Sequence, residues 1–342
     1  MSIFTLPRFT TIAAASIGAV TFVILGFPMP LLLGPLMGCL AFALAGAKLQ
    51  NMGALGIFFR TFLGVAIGTT VTSDLLTDLP EYLPTLALIP LYVLMIGAIA
   101  YPFFRKFMGY NHATAYYAAM PGGLQDMLVF GEEAGGNVRA MSLVHATRVL
   151  VIVTGAPILL TAYLGLDLTR PPGAPAVEFA PQDIAVMVAA GYAGWKIAEK
   201  LGMFGASILG PLILTALLSV TGIIQSRPPV EMIWIAQLFI GMAVGAKYSG
   251  ITRAELKRDV FAGLMFSLIL AGVSLLFIAA IASFSNINTL EIMLAFLPGG
   301  QSEMSMIAIV AGADVAFVVS HHLLRIFVVI LFAPIVEQMF GR

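Results

Sequence analysis

Two short stretches of an otherwise apolar chain carry the residues that could do chemistry. MPGGLQDML, Met120 to Leu128, interrupts the apolar run with Pro-Gly-Gly and follows it with Gln125 and Asp126. LPGGQSEMS, Leu297 to Ser305, repeats the interruption and follows it with Gln301, Ser302 and Glu303. Beyond the first lie Asn137, His145 and Arg148, and beyond the second Asp314, His322 and Arg325, at the same i, i+8, i+11 spacing. At 3.6 residues per turn each trio lines one face of a helix. A charged side chain at a bilayer centre costs at least about 2.5–3.5 kcal/mol on insertion scales, so each of these needs a reason to be there.

The chemistry they suit is anion binding coupled to an ion. Proline removes a backbone donor and Gly-Gly permits a reversal, so Gly122, Gly123, Gly299 and Gly300 would leave N–H groups free at a helix N-terminus, which favours anions. Arg148 and Arg325 add planar forks matched to a carboxylate or phosphate. Gln125, Gln301, Ser302, Asn137 and Asp314 would supply further polar contacts. Asp126 and Glu303 are candidates to carry a coupling proton, because a carboxyl's proton affinity follows its desolvation and its charged neighbours. His145 and His322 are alternative carriers. The competing structural reading fastens each hairpin to its helix through Asp126–Arg148 and Glu303–Arg325 ion pairs and makes the histidines helix-contact residues. His321, about 100° round the helix from His322, reads as packing. If Asp314 and Glu303 shared one cavity, a cation or amine substrate would compete.

What must position these residues is a set of membrane helices. The chain has 342 residues, 60% hydrophobic and only 10% charged, against roughly 25% charged in a soluble domain. Such a surface needs lipid as its solvent. Net charge is zero and there is no basic run, which argues against nucleic acid as a partner. The single cysteine, Cys39, reads as packing. Four histidines scattered over both halves form no compact ligand motif, so no metal or other cofactor is expected, and no enzymatic role.

A shift of 177 residues superposes the two Pro-Gly-Gly stretches and everything from Asn137 on Asp314 to Pro157 on Pro334. It also brings FLGVAIG (Phe62 to Gly68) onto FIGMAVG (Phe239 to Gly245). Gly64, Gly68, Gly241 and Gly245 form small-xxx-small faces, which usually mean close helix packing. The expected organisation is a first transmembrane repeat over 1–167, a Pro-rich periplasmic linker over 168–182 and a second repeat over 183–342. Each repeat reads as five apolar segments of about 18–28 residues plus one Pro-Gly-Gly element. Arg8, Lys48, Arg105, Lys106, Lys196, Lys200, Lys247, Arg253, Lys257 and Arg258 mark cytoplasmic loops; Asp74, Asp78 and Glu81 mark an outer one, with Arg170 and Arg227 the exceptions. Arg105 inside and the linker outside leave two apolar segments between them, so one must enter and leave on the same side. The Pro-Gly-Gly element is the natural re-entrant hairpin. Each half then crosses five times, an odd number, and the halves have opposite orientations. The expected fold is an all-α polytopic protein of two inverted repeats, each with a re-entrant hairpin, both termini cytoplasmic, in a bacterial inner membrane. Trp195 and Trp234, near span ends, read as interfacial anchors.

With these motifs in hand, the chain resembles the bacterial membrane family called AbrB, or AbrB duplication, which also carries an ammonia monooxygenase label. The duplicated PGG-x-x-[DE]-M tips, each followed by a helix with H-x-x-R, carry the resemblance over essentially the whole chain. The family names imply a regulator or a copper oxygenase; a regulator of DNA would need a basic soluble surface. The expected function is a secondary active transporter of a small carboxylate-like anion, driven by protons or sodium, with the hairpins and their helices moving against the remaining spans. Its partners would be that substrate, the coupling ion and membrane lipid, with a homodimer compatible. A non-transporting regulator or sensor subunit is the alternative; a metal-dependent oxygenase ranks lower.

Overall fold

The computed structural model describes residues 5–70, 75–169, 173–203 and 205–340. Asp74, Arg170 and the rest of 170–172 in the linker lie outside these residues, as does the Gln125 side chain. Every element among the described residues is helical. The first half runs α1 (Leu6–Ile24), α2 (Pro30–Leu44), α3 (Ala54–Gly68), α4 (Leu75–Leu86), α5 (Ile89–Pro102), α6 (His112–Ala119), α7 (Leu124–Glu133) and α8 (Val138–Leu164). The second half repeats the order: α9 (Pro181–Lys200), α10 (Ala206–Val220), α11 (Val230–Gly245), the short α12 (Arg253–Glu255), α13 (Phe261–Phe284), α14 (Thr289–Phe296), α15 (Gln301–Ala311) and α16 (Val315–Phe340).

Among the described residues, six helical runs are long and apolar enough to cross a membrane: 6–24, 80–107, 138–164, 230–248, 253–284 and 315–339. The expected 18–28 residues per span is too long for three others. α2, α3 and α10 have 15 residues each, about 22 Å at 1.5 Å per residue. Left-handed backbone cuts them short. α2 is entered through Met29 (φ 45°) and followed by Gly46 (φ 87°); α3 and α10 are entered through Gly53 and Gly205, both at φ 59°. Glycine takes that conformation without steric cost, whereas Met29 is held in it by burial and by its N–H donating to Leu168 O at 2.8 Å.

The chain divides into two compact units. One comprises Met1–Leu79, Ala156–Gly250 and Ser305–Ala316, and contains α1–α3 and α9–α11. Its packing is reciprocal. α3 of the first half lies on α10 of the second, and α11 of the second lies on α2 of the first. The glycine faces make this approach possible. A Cβ at Gly64 would strike Ile208 O and Pro211, and one at Gly241 would strike the equivalent Leu32 O and Pro35; Gly68 and Gly245 meet Leu212 and Leu36 in the same way. The four carbonyl oxygens met, on Ile208, Leu32, Leu212 and Leu36, are backbone atoms, which cannot turn aside. Gly241→Val is therefore expected to destabilise the fold by at least ~3 kcal/mol, the upper part of the overpacking range, read as a lower thermal midpoint or lost monodispersity of purified protein. Cys39 is buried in this unit with Sγ 3.6 Å from Thr11 O, a packing role. Trp195 is also buried here, with Lys196 Nζ 4.0 Å over its ring, rather than standing at an interface.

The second unit comprises Pro80–Gly155, Ile251–Met304 and Phe317–Arg342. Within it α5 and α13, which hold the same place in the two halves, run antiparallel: Tyr92 bonds Ser274, Phe104 packs edge-on against Phe266, and Tyr110 donates to Asp259 at 2.7 Å. Both Pro-Gly-Gly breaks, and the helix segments bearing His145, Arg148, His322 and Arg325, belong to this unit.

Candidate functional site

Each Pro-Gly-Gly stretch forms a break between two short helices, α6 to α7 and α14 to α15. With eight to eleven residues, none of the four could cross a bilayer. The first helix of each element starts at an asparagine cap: Asn111 Oδ1 accepts from Thr114 N at 2.9 Å, and Asn288 Oδ1 from Leu290 N at 3.0 Å. Met120 and Leu297 then turn to extended backbone, and proline, which cannot continue the ladder, follows.

The helices behind the breaks are tied to them by the same bonds in both halves. His145 Nε2 lies 3.0 Å from Tyr117 O, and His322 Nε2 lies 2.9 Å from Leu294 O. Three residues further along each helix, Arg148 Nη2 donates to Gly122 O at 3.3 Å and Arg325 Nη2 to Gly299 O at 3.1 Å. The histidines thus engage carbonyls of α6 and α14, and the arginines reach the tips. His321 is also spoken for, between Phe317 O at 2.7 Å and Thr85 Oγ1 at 3.0 Å.

The arginines are 2% exposed, and among the described residues Nε and Nη1 of each have no partner. Arg148 lies within electrostatic reach of Arg325, which repels it, and of Glu303, which attracts it. The ion pairs proposed as fasteners do not form: among the described residues Asp126 is not paired with Arg148, nor Glu303 with Arg325. The reason is where the carboxylates go. Glu303, 7% exposed, folds back on its own tip, where a Cβ at Gly300 would meet its carboxylate. Asp126 is half-buried, with Oδ2 lacking a partner, as does Gln301 Nε2; Ser302 is half-buried. Gly122 lies against Val329 and Met127, and Gly299 against Met304 and Ile152, so both tips are packed from behind by apolar side chains. Gly123 precedes the first turn of α7 in extended backbone.

Asn137 Oδ1 accepts from Ala140 N at 3.0 Å, and Asp314 Oδ1 from Ala316 N at 2.9 Å, so each caps the start of its long helix. Asp314 falls in the first unit and Glu303 in the second.

Sequence reasoning missed Tyr92. Its hydroxyl lies 2.6 Å from Phe296 O and 2.9 Å from Ser274 Oγ, and Ser274 Oγ also reaches Phe296 O at 2.9 Å. These two groups satisfy the last carbonyl of α14, which helix geometry leaves open. Tyr92 also feels both arginines electrostatically. A buried tyrosine and serine in otherwise aliphatic spans were the available signal. Tyr92→Phe is expected to lower stability by ~1 kcal/mol, since Ser274 still holds the carbonyl, read by thermal unfolding against wild type.

Chemically, the site is a pair of buried cations with open donors beside apolar-backed glycine turns and one buried carboxylate. Nothing in it resembles a nucleophile–base pair. The fold and site define a helical protein of membrane type with a duplicated, arginine-bearing helix–break–helix element. The chain belongs to the AbrB family: the family profile described as transition state regulatory protein AbrB matches residues 31–341. It is similar to the uncharacterized protein YhjN of Bacillus subtilis (strain 168), 24% identical over 80% of this chain and 76% of that protein. It is likewise similar to an Escherichia coli (strain K12) protein whose name offers it as a regulator, AbrB, at 24% identity over 94% of this chain and 92% of the relative.

Proposed function

We propose that this protein is a secondary active transporter of a small carboxylate-like anion, coupled to protons or sodium. The observation that carries the reading is the pair of buried guanidiniums whose Nε and Nη1 groups have no partner. An unpaired buried charge is worth several kcal/mol of instability, and two of one sign add repulsion. An anion seated between the tips would satisfy the open donors and offset both costs. Glu303, buried at one tip and in the field of Arg148, would carry the coupling charge.

Two features of the fold support alternating access by inverted repeats. The reciprocal α3–α10 and α11–α2 packing is what a two-fold relation between the halves produces. The antiparallel course of α5 and α13 fits halves of opposite orientation. The breaks at Pro121 and Pro298 are then re-entrant hairpins, which with the helices behind them would move against the remaining spans. The Lys and Arg distribution would set the protein in a bacterial inner membrane with both termini cytoplasmic.

The test is charge movement by reconstituted protein on a solid-supported membrane. A panel of carboxylates, amines and phosphonates is applied with and without sodium and across pH. A carboxylate-evoked current is the expected result. An amine-evoked current with carboxylates silent would overturn the anion assignment. Stoichiometric capture of a soluble protein, with every substrate silent, would favour the regulator role that the Escherichia coli relative's name suggests.

A further inference from the structure

The second unit holds a buried polar pair that the sequence repeat does not account for. At the 177-residue shift His321 answers to Val144 and Thr85 to Ala262, both buried and apolar. His321 is fully buried and Thr85 is 1% exposed. His321 stands on α16, one turn before Arg325 and on the same face. Thr85 stands on α4, one turn past the exposed Glu81, which lies at the start of a membrane-length run.

The hydrogen bonds around the ring leave room for one proton. Phe317 O can only accept, so Nδ1, 2.7 Å away, carries a hydrogen. Thr85 Oγ1 lies 3.0 Å from Nε2 and 2.9 Å from Tyr82 O. A neutral ring accepts the Thr85 hydrogen at Nε2. When a proton binds, Nε2–H donates to Oγ1 and the Thr85 hydrogen turns to Tyr82 O. Each state satisfies both ring nitrogens, and no heavy atom has to move. His322 is built otherwise. Its Nε2 must donate to Leu294 O, and Nδ1 has no partner among the described residues, so a proton added there would find no acceptor. α14 meets the His321 ring with Phe296, behind which stands Tyr92 of α5, and Tyr82 of α4 packs edge-on against Phe317. The charged and titratable neighbours on its own helix are His322 and Arg325, and His322 lies within electrostatic reach of His321, Arg325 and Arg148.

We propose that His321 and Thr85 form a proton-binding site linked to the arginine site. A proton on His321 sets a positive charge one turn from Arg325, where both groups are buried and water cannot screen them. The two charges oppose each other until an anion occupies the arginine site. Bound anion and bound proton then support one another, and by linkage each raises the affinity for the other by the same factor. The inference rests on the anion reading of that site, names the proton as an ion to which it responds, and leaves the coupling charge with Glu303.

Nitrogen NMR of the full chain in detergent, isotope-labelled at histidine alone, tests this from about pH 8 to about pH 4, a span that covers shifted histidines. His321→Gln identifies the ring among the chain's four. At the alkaline end His321 is expected in the neutral Nδ1–H form and at the acidic end doubly protonated, while His322 stays neutral as Nε2–H. Arg325→Met removes the opposing charge without any anion and should raise the His321 midpoint by about one pH unit or more. Thr85→Val takes away the acceptor for the charged ring and should lower the midpoint by about as much, and Thr85→Ser should restore it. A ring neutral throughout in both wild type and Arg325→Met, an Nε2–H form of neutral His321, or a midpoint unmoved by Arg325→Met or by Thr85→Val would overturn the proposal. None of these arms uses an anion. A silent substrate panel beside a His321 that responds to Arg325→Met would therefore count against the transporter reading alone.

Discussion

Arg325→Met is expected to raise the thermal midpoint of the substrate-free protein by about 2 °C or more while abolishing its stabilisation by carboxylates. Removing a buried hydrogen-bonded arginine would ordinarily be costly. Here the substitution loses one bond, to Gly299 O, worth about 1.5–3 kcal/mol because the donor is charged. Against that loss stand the desolvation of a guanidinium whose Nε and Nη1 have no partner and its repulsion by Arg148. Replacing buried charge by an apolar side chain of similar volume is often neutral or stabilising by about 1–4 kcal/mol, and an uncompensated charge should lie at the upper end. The ligand response runs the other way. At a hundred times its dissociation constant, a carboxylate stabilises the wild type by about 2.7 kcal/mol, and without the fork that shift should vanish. Arg325→Lys separates charge from geometry: it keeps the cation but not the planar donors, so it should retain a weakened shift. A variant whose midpoint falls by more than about 5 °C yet still responds to carboxylates would make Arg325 a structural fastener.

The doubled design was legible in the sequence because both copies keep the same residue types at the same spacing. Pro121 and Pro298, His145 and His322, and Arg148 and Arg325 announce two breaks and two helices that serve them, and the structure builds two of each. The glycine faces at Gly64 and Gly241 likewise announced close packing, and they make it. The partner of each face was not legible. Exchange between halves, α3 on α10 and α11 on α2, depends on three-dimensional closure that no local pattern encodes. Span lengths misled for a related reason. An apolar run continues through Ala45 and Ala47, but Gly46 in left-handed backbone ends α2 inside it. At the site, residue types named the buried polar side chains but not their partners. An aspartate and an arginine in one membrane suggest an ion pair, yet the guanidiniums turn to the Gly122 and Gly299 carbonyls, while the histidines take the Tyr117 and Leu294 carbonyls four residues before each proline. Asn137 and Asp314 sit where a helix start needs a cap, and the side chain of each caps its own helix.

Glu303→Gln is expected to eliminate substrate-driven charge movement while leaving anion binding intact or tighter, and Asp126→Asn to do much less. The two acids hold matching places in the halves but not matching environments. Glu303 is 7% exposed, folded onto Gly300 and within the field of Arg148, whereas Asp126 is half-buried. A charge moves an equilibrium most where water cannot screen it, so Glu303 is the acid whose charge state the arginine site senses. Glutamine keeps the shape and the tip packing and removes the charge, so yield and monodispersity should match wild type. Taking one negative charge from the field of Arg148 raises the local positive potential. A carboxylate should then bind a few-fold more tightly, the consequence of about 1 kcal/mol less repulsion. Binding and coupling are thereby separated in one variant: a stronger ligand-induced thermal shift together with no substrate-evoked current on the solid-supported membrane. Unchanged coupled uptake in folded Glu303→Gln would remove Glu303 from the coupling role. If Asp126→Asn alone silenced the current, the coupling charge would belong to the first tip, with Glu303 left to shape the second.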